Sequence, residues 1–326
     1  MEAINFFIQM FENYLDNNPL TRKPVNLYGP ADYIISLGGK RLRPVFVLLG
    51  YSLYKDNIEY SLEAGRAVEV FHNFTLLHDD IMDKAEIRRG KPTVHIKYNT
   101  NTAILTGDVM MVHALKCILN YNEPTLVKRL LDVFTKMAFE VCEGQQLDMD
   151  FESKTDVTIE EYLEMITLKT SVLLATSIQM GAILGGADDS DQKHLYEFAK
   201  NFGIAFQLQD DVLDTFGEAA QVGKRIGGDI LQNKKTYLYL KSIELASDSQ
   251  KVKLIELYSS GLEVGEQEKI NAVKSIYCDV LIQEYARQVI EAYRDLSISH
   301  LHACKINQSQ KEAISSFIND IIFRKN

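Results

Sequence analysis

With 326 residues, 46% of them hydrophobic, the chain is long enough to bury a large core, as one large domain or two ordinary ones. A formal net charge of -10 excludes a nucleic-acid surface as its main business, because neutralising phosphodiesters needs a basic face. The four cysteines, Cys117, Cys142, Cys278 and Cys304, show neither CxxC spacing nor a paired framework, so they read as thiols of a reducing compartment and not as zinc ligands.

In chain order, MEAINFFIQMFENYLDNN carries acids where an export signal has a basic region, and predicts an amphipathic helix over 2–17. Apolar residues at three- and four-residue spacing predict further helices over 31–53, 60–84, 94–98, 101–120, 124–149, 158–185, 190–216, 234–246, 248–260, 264–304 and 308–323. All six prolines lie at or before Pro124, which frees the rest of the chain for long helices. The segment YLEMITLKTSVLLATSIQMGAILGG ends on a glycine pair suited to a C-cap. Several helices are apolar nearly all round, as central helices of a bundle are, and no apolar run is expected to be long enough to cross a bilayer. Strand-like alternation is scarce, and neither a linker nor a repeat of fixed period divides the chain. The expectation is one all-α domain spanning 1–326, soluble and cytoplasmic.

Two acidic clusters stand out. LLHDDIMD supplies Asp79, Asp80 and Asp83; FQLQDDVLD supplies Asp210, Asp211 and Asp214 in the same DDxxD spacing. Positions i and i+4 share a helix face, so Asp79 with Asp83, and Asp210 with Asp214, each offer oxygens on one side. Two carboxylates about 6 Å apart repel by roughly 3 kcal/mol at an effective dielectric near 20, which calls for divalent cations. All-oxygen ligation suits magnesium shared with a phosphate, so the expected guest is a magnesium-bound diphosphate. The competing reading is a pair of solvated acidic helix ends.

Basic residues lie where an anion could meet them. GGKRLRP places Lys40, Arg41 and Arg43 beside a glycine pair at the start of a helix. Arg88 and Arg89 follow the first acidic cluster, and GKRIGGDILQNKKT follows the second with Lys224, Arg225, Lys234 and Lys235. Each group alone could equally be scattered surface charge.

Taken in order, GGKRLRP, LLHDDIMD with RRGKPTVH, LKT, FQLQDDVLD and GKRIGGDI with NKKT resemble the trans-isoprenyl diphosphate synthases, also called polyprenyl synthetases, over about residues 38–236. The resemblance implies a homodimeric all-α fold whose two aspartate-rich helices line a deep central cavity. It implies condensation of isopentenyl diphosphate with an allylic diphosphate by ionisation of the allylic C–O bond, attack by the alkene and loss of a proton. Magnesium, three ions per site, would be held by Asp79, Asp83 and Asp210, with Asp80, Asp211 and Asp214 as further ligands or acceptors behind them. Arg88, Lys169, Lys224 and Lys234 would grip the allylic diphosphate. Lys40, Arg43, His72 and Arg89 match the positions that hold isopentenyl diphosphate, while Thr170, Gln207 and the Lys169 carbonyl match the groups that face the carbocation. His78 and His95 are expected to be local hydrogen-bond partners. Arg324 and Lys325 keep two readings, a tail closing over the site or a solvated end.

The residues one turn before Asp79 would form the floor under the growing hydrocarbon. Thr75 lies four positions back on the same face; Phe74, about 7 Å down the axis, is turned aside. Members of the resembled family that stop earliest carry aromatics at both positions or an insertion in the first acidic motif. Thr75 is small and DDIMD has no insertion, so a twenty-carbon product, geranylgeranyl diphosphate, is favoured over the fifteen-carbon farnesyl diphosphate. Phe74 reads equally as plain core. The rival functions are a class I terpene cyclase, which the second DDxxD and the absence of tryptophan oppose, and a catalytically silent partner subunit, which two intact acidic clusters oppose.

Overall fold

A computed structural model of the chain describes residues 2–217, 226–259 and 264–323. The described residues are all-α apart from one two-stranded hairpin. In order they form α1 (Glu2–Asn17), α2 (Val25–Ser36), α3 (Leu42–Ser52), a 3₁₀ turn (Ile58–Ser61), α4 (Leu62–Met82), β1 (Ile87–Arg88), β2 (Lys91–Pro92), α5 (Val94–Lys97), α6 (Thr100–Ile118) and α7 (Pro124–Ser153). Then follow α8 (Ile159–Ile166), a π-helical turn (Thr167–Ser171), α9 (Val172–Gly185), α10 (Asp189–Phe216), α11 (Gly228–Leu231), α12 (Tyr237–Leu245), α13 (Asp248–Leu257), α14 (Glu266–Asp279), α15 (Ile282–Ala303) and α16 (Gln308–Ile322).

The residues at the ends explain where helices start and stop. Asn99 caps α6 by accepting from Thr102 N–H at 2.8 Å, and Thr158 with Glu161 forms a capping box at α8. The glycine pair does end α9. Gly186 takes φ 80°, its N–H donates to Ile183 O, and Ala187 N–H reaches back to Ala182 O, a Schellman closure.

Two expected helices are each broken in two. The helix over 31–53 is interrupted between α2 and α3, where Gly38 and Gly39 take φ 76° and 141° and Arg41 sits at φ 49°. That over 264–304 divides between α14 and α15 at Leu281, φ 55°. Left-handed backbone ends a helix whatever the apolar periodicity around it. The helix expected over 234–246 begins only at Tyr237, because Lys234 N–H is drawn to Asp229 O at 2.9 Å. One further expectation is corrected. The helical run Ile159–Gly185, 27 residues, does reach the length and apolar composition of a membrane span. It is 72% buried over its most apolar window, which is how a central core helix meets the same test.

The chain divides into two compact units. The first comprises Met1–Met137, Leu173–Tyr196 and Ala303–Ala313. Its core is α4 packed along α6 and against α3, with Phe46, Phe71, Phe134 and Met110 fully buried. The second comprises Ala138–Val172, Glu197–His302 and Ile314–Asn326. Phe198, Phe202, Tyr277 and Ile318 anchor its core. Each unit carries one acidic cluster, in both cases at the carboxy-terminal end of a core helix.

Candidate active site

In the first unit, α4 ends on Asp79 and Asp80, and Asp83 caps it, its N–H donating to Asp79 O at 2.9 Å. A helix carboxy terminus already bears partial negative charge, so carboxylates there are disfavoured by about 0.3–1 kcal/mol each before they repel one another. Asp80 is 2% exposed and pairs with Arg88, whose Nε donates to Oδ2 at 2.8 Å and whose Nη2 lies 2.7 Å from Oδ1 as an ion pair. Burial raises its carboxyl above the usual range against the pull of Arg88. Asp79 and Asp83 remain partly exposed, one turn apart, with Arg88 Nη2 3.8 Å from Asp79.

The hairpin after α4 is what aims the arginines. Ile87 pairs with Pro92 and Arg88 with Lys91, and the two turn residues, Arg89 and Gly90, both have positive φ, 52° and 73°, as a type I′ turn requires. The Thr93 hydroxyl, donating to Ala85 O at 2.7 Å, closes the hairpin back onto the exit of α4. Arg88 thereby turns inward to the acids, and Arg89 lies against Gly39, where a Cβ would fall 2.7 Å from its guanidinium.

His72, two turns before Asp79, sits amid Arg43, Arg89, Arg88 and Arg41. Burial first, and then these cations, hold its imidazole well below the ordinary histidine range. It is therefore a neutral N–H donor among cations. Lys40 is exposed beside Gly39, and Arg43 lies on the first turn of α3. Arg41, basic like its neighbours, is instead turned inward, 7% exposed, with Nη1 2.5 Å from Glu69 and Nη2 2.9 Å from Ile35 O. Thr75 donates to His72 O at 2.8 Å, and the half-buried Phe74 ring packs 5.5 Å from Phe71 and 4.8 Å from His78. His95 Nδ1 lies 3.2 Å from the Thr93 hydroxyl, a local contact as expected, whereas His78 Nε2 lies 3.2 Å from Ile104 O on α6, 26 residues away.

In the second unit the corresponding residues come from the π turn and from α10. The widened turn is possible because two glycines make room for it: a Cβ on Gly144 would meet Lys169 N at 2.3 Å, and one on Gly203 would meet Ser171 Cα at 2.8 Å. Such bulges concentrate at functional sites. Here the turn presents Lys169, whose Nζ lies 2.6 Å from Asp148, and Thr170, whose hydroxyl is 3.4 Å from Gln207 Oε1. Gln207 Nε2 donates to Asp211 Oδ1 at 3.1 Å, and the Tyr162 hydroxyl donates to Asp211 Oδ2.

The second cluster repeats the logic of the first. Asp211, 4% exposed, is the inward member, and burial followed by the nearby Asp229 carboxylate pushes it well above the usual carboxylate range, against two donated hydrogen bonds. Asp210 and Asp214 stay partly exposed. Asp214 accepts from Asp229 N–H at 3.0 Å, and Asp229 O takes the Lys234 N–H, which ties the following loop to the acids. Lys235 donates to Phe151 O at 2.6 Å. Lys224, with Arg225, Arg324 and Lys325, lies outside the described residues.

Tyr162, Asp148, Asp229 and Glu69 are the partners that sequence reasoning missed. Each meets its target across 15 to 49 residues of chain, and no local motif marks them.

Among the described residues no three His, Cys, Asp or Glu side chains converge into a protein-only metal cage. Each cluster instead offers a pair of partly exposed carboxylates one turn apart. That donor set fits magnesium, which prefers one or two carboxylates and completes its octahedron with water and substrate phosphate.

Comparison with known proteins gives the family. Residues 24–277 match the polyprenyl synthetase family, and the chain belongs to it. It is 45% identical over 227 residues to a geranylgeranyl diphosphate synthase of Methanosarcina mazei, covering 69% of this chain and 70% of that one. To the geranylgeranyl diphosphate synthase of Sulfolobus acidocaldarius it is 37% identical over 305 residues, covering 92% and 90%. A crystal structure of a geranylgeranyl pyrophosphate synthase superposes with a TM-score of 0.95 at 42% identity over the whole of both chains.

Proposed function

We propose that the protein is a short-chain trans-prenyltransferase that condenses isopentenyl diphosphate with an allylic diphosphate, with geranylgeranyl diphosphate as its product. One observation carries the reading. In a member of this family, two core helices each end on a DDxxD whose middle aspartate is buried and takes side-chain donors from the protein, while the outer two stay partly exposed one turn apart.

Asp79, Asp83, Asp210 and Asp214 would hold magnesium, with Asp80 and Asp211 kept behind them by Arg88 and by Tyr162 with Gln207. Magnesium, when bound, supplies charge neutralisation of the departing diphosphate. Arg88, Lys169 and Lys234, and Lys224, supply cationic hydrogen-bond donors to the same leaving group, which makes pyrophosphate easier to expel. Asp148 holds Lys169 until an anion competes for its ammonium. Lys40, Arg43, Arg89 and neutral His72 take the acceptor diphosphate; a neutral imidazole donates to it without adding to the crowd of guanidiniums. Thr170 and Gln207 turn oxygen dipoles to the allylic cation without offering a nucleophile strong enough to trap it. The alkene attacks C1 of that cation, and the released pyrophosphate can accept the proton that is lost, so no protein base is assigned.

Small Thr75 leaves room for a twenty-carbon chain, and Phe74 is the length gate. A homodimer, a single catalytic domain over the full length and a cytoplasmic setting complete the reading; the four free cysteines suit a reducing compartment. The test is product sizing. Purified protein with magnesium, isopentenyl diphosphate and each allylic primer should release a linear twenty-carbon diphosphate. No incorporation from any primer, or release of a cyclic hydrocarbon, would overturn the proposal.

A further inference from the structure

We propose that Tyr162 and Asp211 act together as positioning residues that fix which way the Gln207 amide points. The inference rests on the reading of Gln207 and Thr170 as dipoles facing the allylic cation. Asp211 is turned inward, and each of its oxygens meets one donor, the Tyr162 phenol on Oδ2 and Gln207 Nε2 at 3.1 Å on Oδ1. Tyr162 is 3% exposed, so this pair is sealed from water.

The polarity of the chain of contacts is set by what each group can do. The Tyr162 phenol donates its one O–H to Oδ2 and Gln207 Nε2 donates to Oδ1, so Asp211 is the acceptor in both contacts. A side-chain amide carries its NH2 and its carbonyl on opposite sides, so spending the NH2 on Asp211 sends Oε1 the other way. There it lies 3.4 Å from the Thr170 hydroxyl. Tyr162 stands on α8, eight residues before Thr170 on the π turn, and Asp211 stands one helical turn after Gln207 on α10. Two cross-links thus join the same pair of segments, one buried and one facing the proposed site.

The consequence is chemical as well as structural. A reversed amide would put N–H donors where positive charge develops, and fixed dipoles help only when they already point correctly as that charge appears. The direction of the Gln207 dipole is therefore decided by two side chains that touch neither substrate.

The experiment uses the full-length chain with magnesium as Tyr162→Phe, Gln207→Leu and the double variant. It reads kcat, both KM values and the calorimetric affinity for an unreactive allylic diphosphate analogue bearing an ammonium at the cationic position, against its uncharged isostere. Tyr162→Phe should lower kcat and the affinity for the ammonium analogue by about tenfold each, while KM values and the uncharged isostere stay within about twofold. In the Gln207→Leu background it should cost no more than about twofold further. Should Tyr162→Phe give little folded protein, Asp211→Asn replaces it: the new amide accepts from Tyr162 and turns an N–H to Gln207, and the preference for the ammonium analogue should fall at least as far. If Gln207→Leu leaves kcat and ammonium affinity unchanged, the reading of Gln207 as a cation-facing dipole fails and takes the proposal with it. If Gln207→Leu is impaired but Tyr162→Phe is not, or if the two losses multiply, the positioning role is overturned while that reading stands.

Discussion

Phe74 stands five residues before Asp79, and its ring is wedged between Phe71 and His78. As a length gate, it should yield to truncation: Phe74→Ala is expected to shift the product toward chains longer than twenty carbons. Because the ring is only half-buried, the loss of stability should stay below the ~3–5 kcal/mol typical of a fully buried phenylalanine. Chromatography of the dephosphorylated products checks this, and an unchanged distribution returns Phe74 to the core. At this scale the DDxxD spacing made the two carboxylate pairs legible as candidates, since period alone places i and i+4 on one helix face. It could not say that Asp80 and Asp211 face inward, because that depends on Arg88 delivered by a hairpin and on Tyr162 from another helix. Likewise Lys40, Arg41 and Arg43 are alike in sequence, and it takes the fold to turn Arg41 inward onto Glu69 and Ile35 O.

At the scale of elements, the π turn depends on two helices that approach it without side chains. A methyl group on Gly144 would collide with the backbone of Leu168 and Lys169, which no rotamer change can relieve. Gly144→Ala should therefore destabilise the protein by about 1–3 kcal/mol and displace Lys169 and Thr170. Thermal unfolding and steady-state kinetics together report it, as a melting temperature lowered by several degrees and a raised KM for the allylic substrate. Wild-type values for both would show that the turn does not rely on this approach. The helices themselves were legible from apolar spacing, and the glycine pair marks the end of α9 in sequence. Breaks at Arg41 and Leu281 were not, since both are non-glycine residues held at positive φ by their surroundings. The π turn was invisible for a related reason: TLKTS carries no signal of its own, and its extra width is permitted by Gly144 and Gly203, which lie 23 or more residues away in sequence.

At the scale of the whole molecule, each of the two compact units carries one DDxxD near the carboxy-terminal end of a core helix. Composition and length allowed many functions, and the ordered set of motifs narrowed them to the family to which residues 24–277 belong. Order along the chain was enough to name the chemistry; the buried partners that tune it needed coordinates. The most direct test is calorimetric binding of an unreactive thio analogue of the allylic diphosphate, with magnesium and with EDTA, to the native chain, Asp79→Ala and Asp210→Ala. Binding should require magnesium, and each substitution alone should weaken it by at least about tenfold while circular dichroism stays native. Binding that survives EDTA, or that only one of the two substitutions impairs, would contradict the proposal that both acidic clusters hold magnesium for the diphosphate.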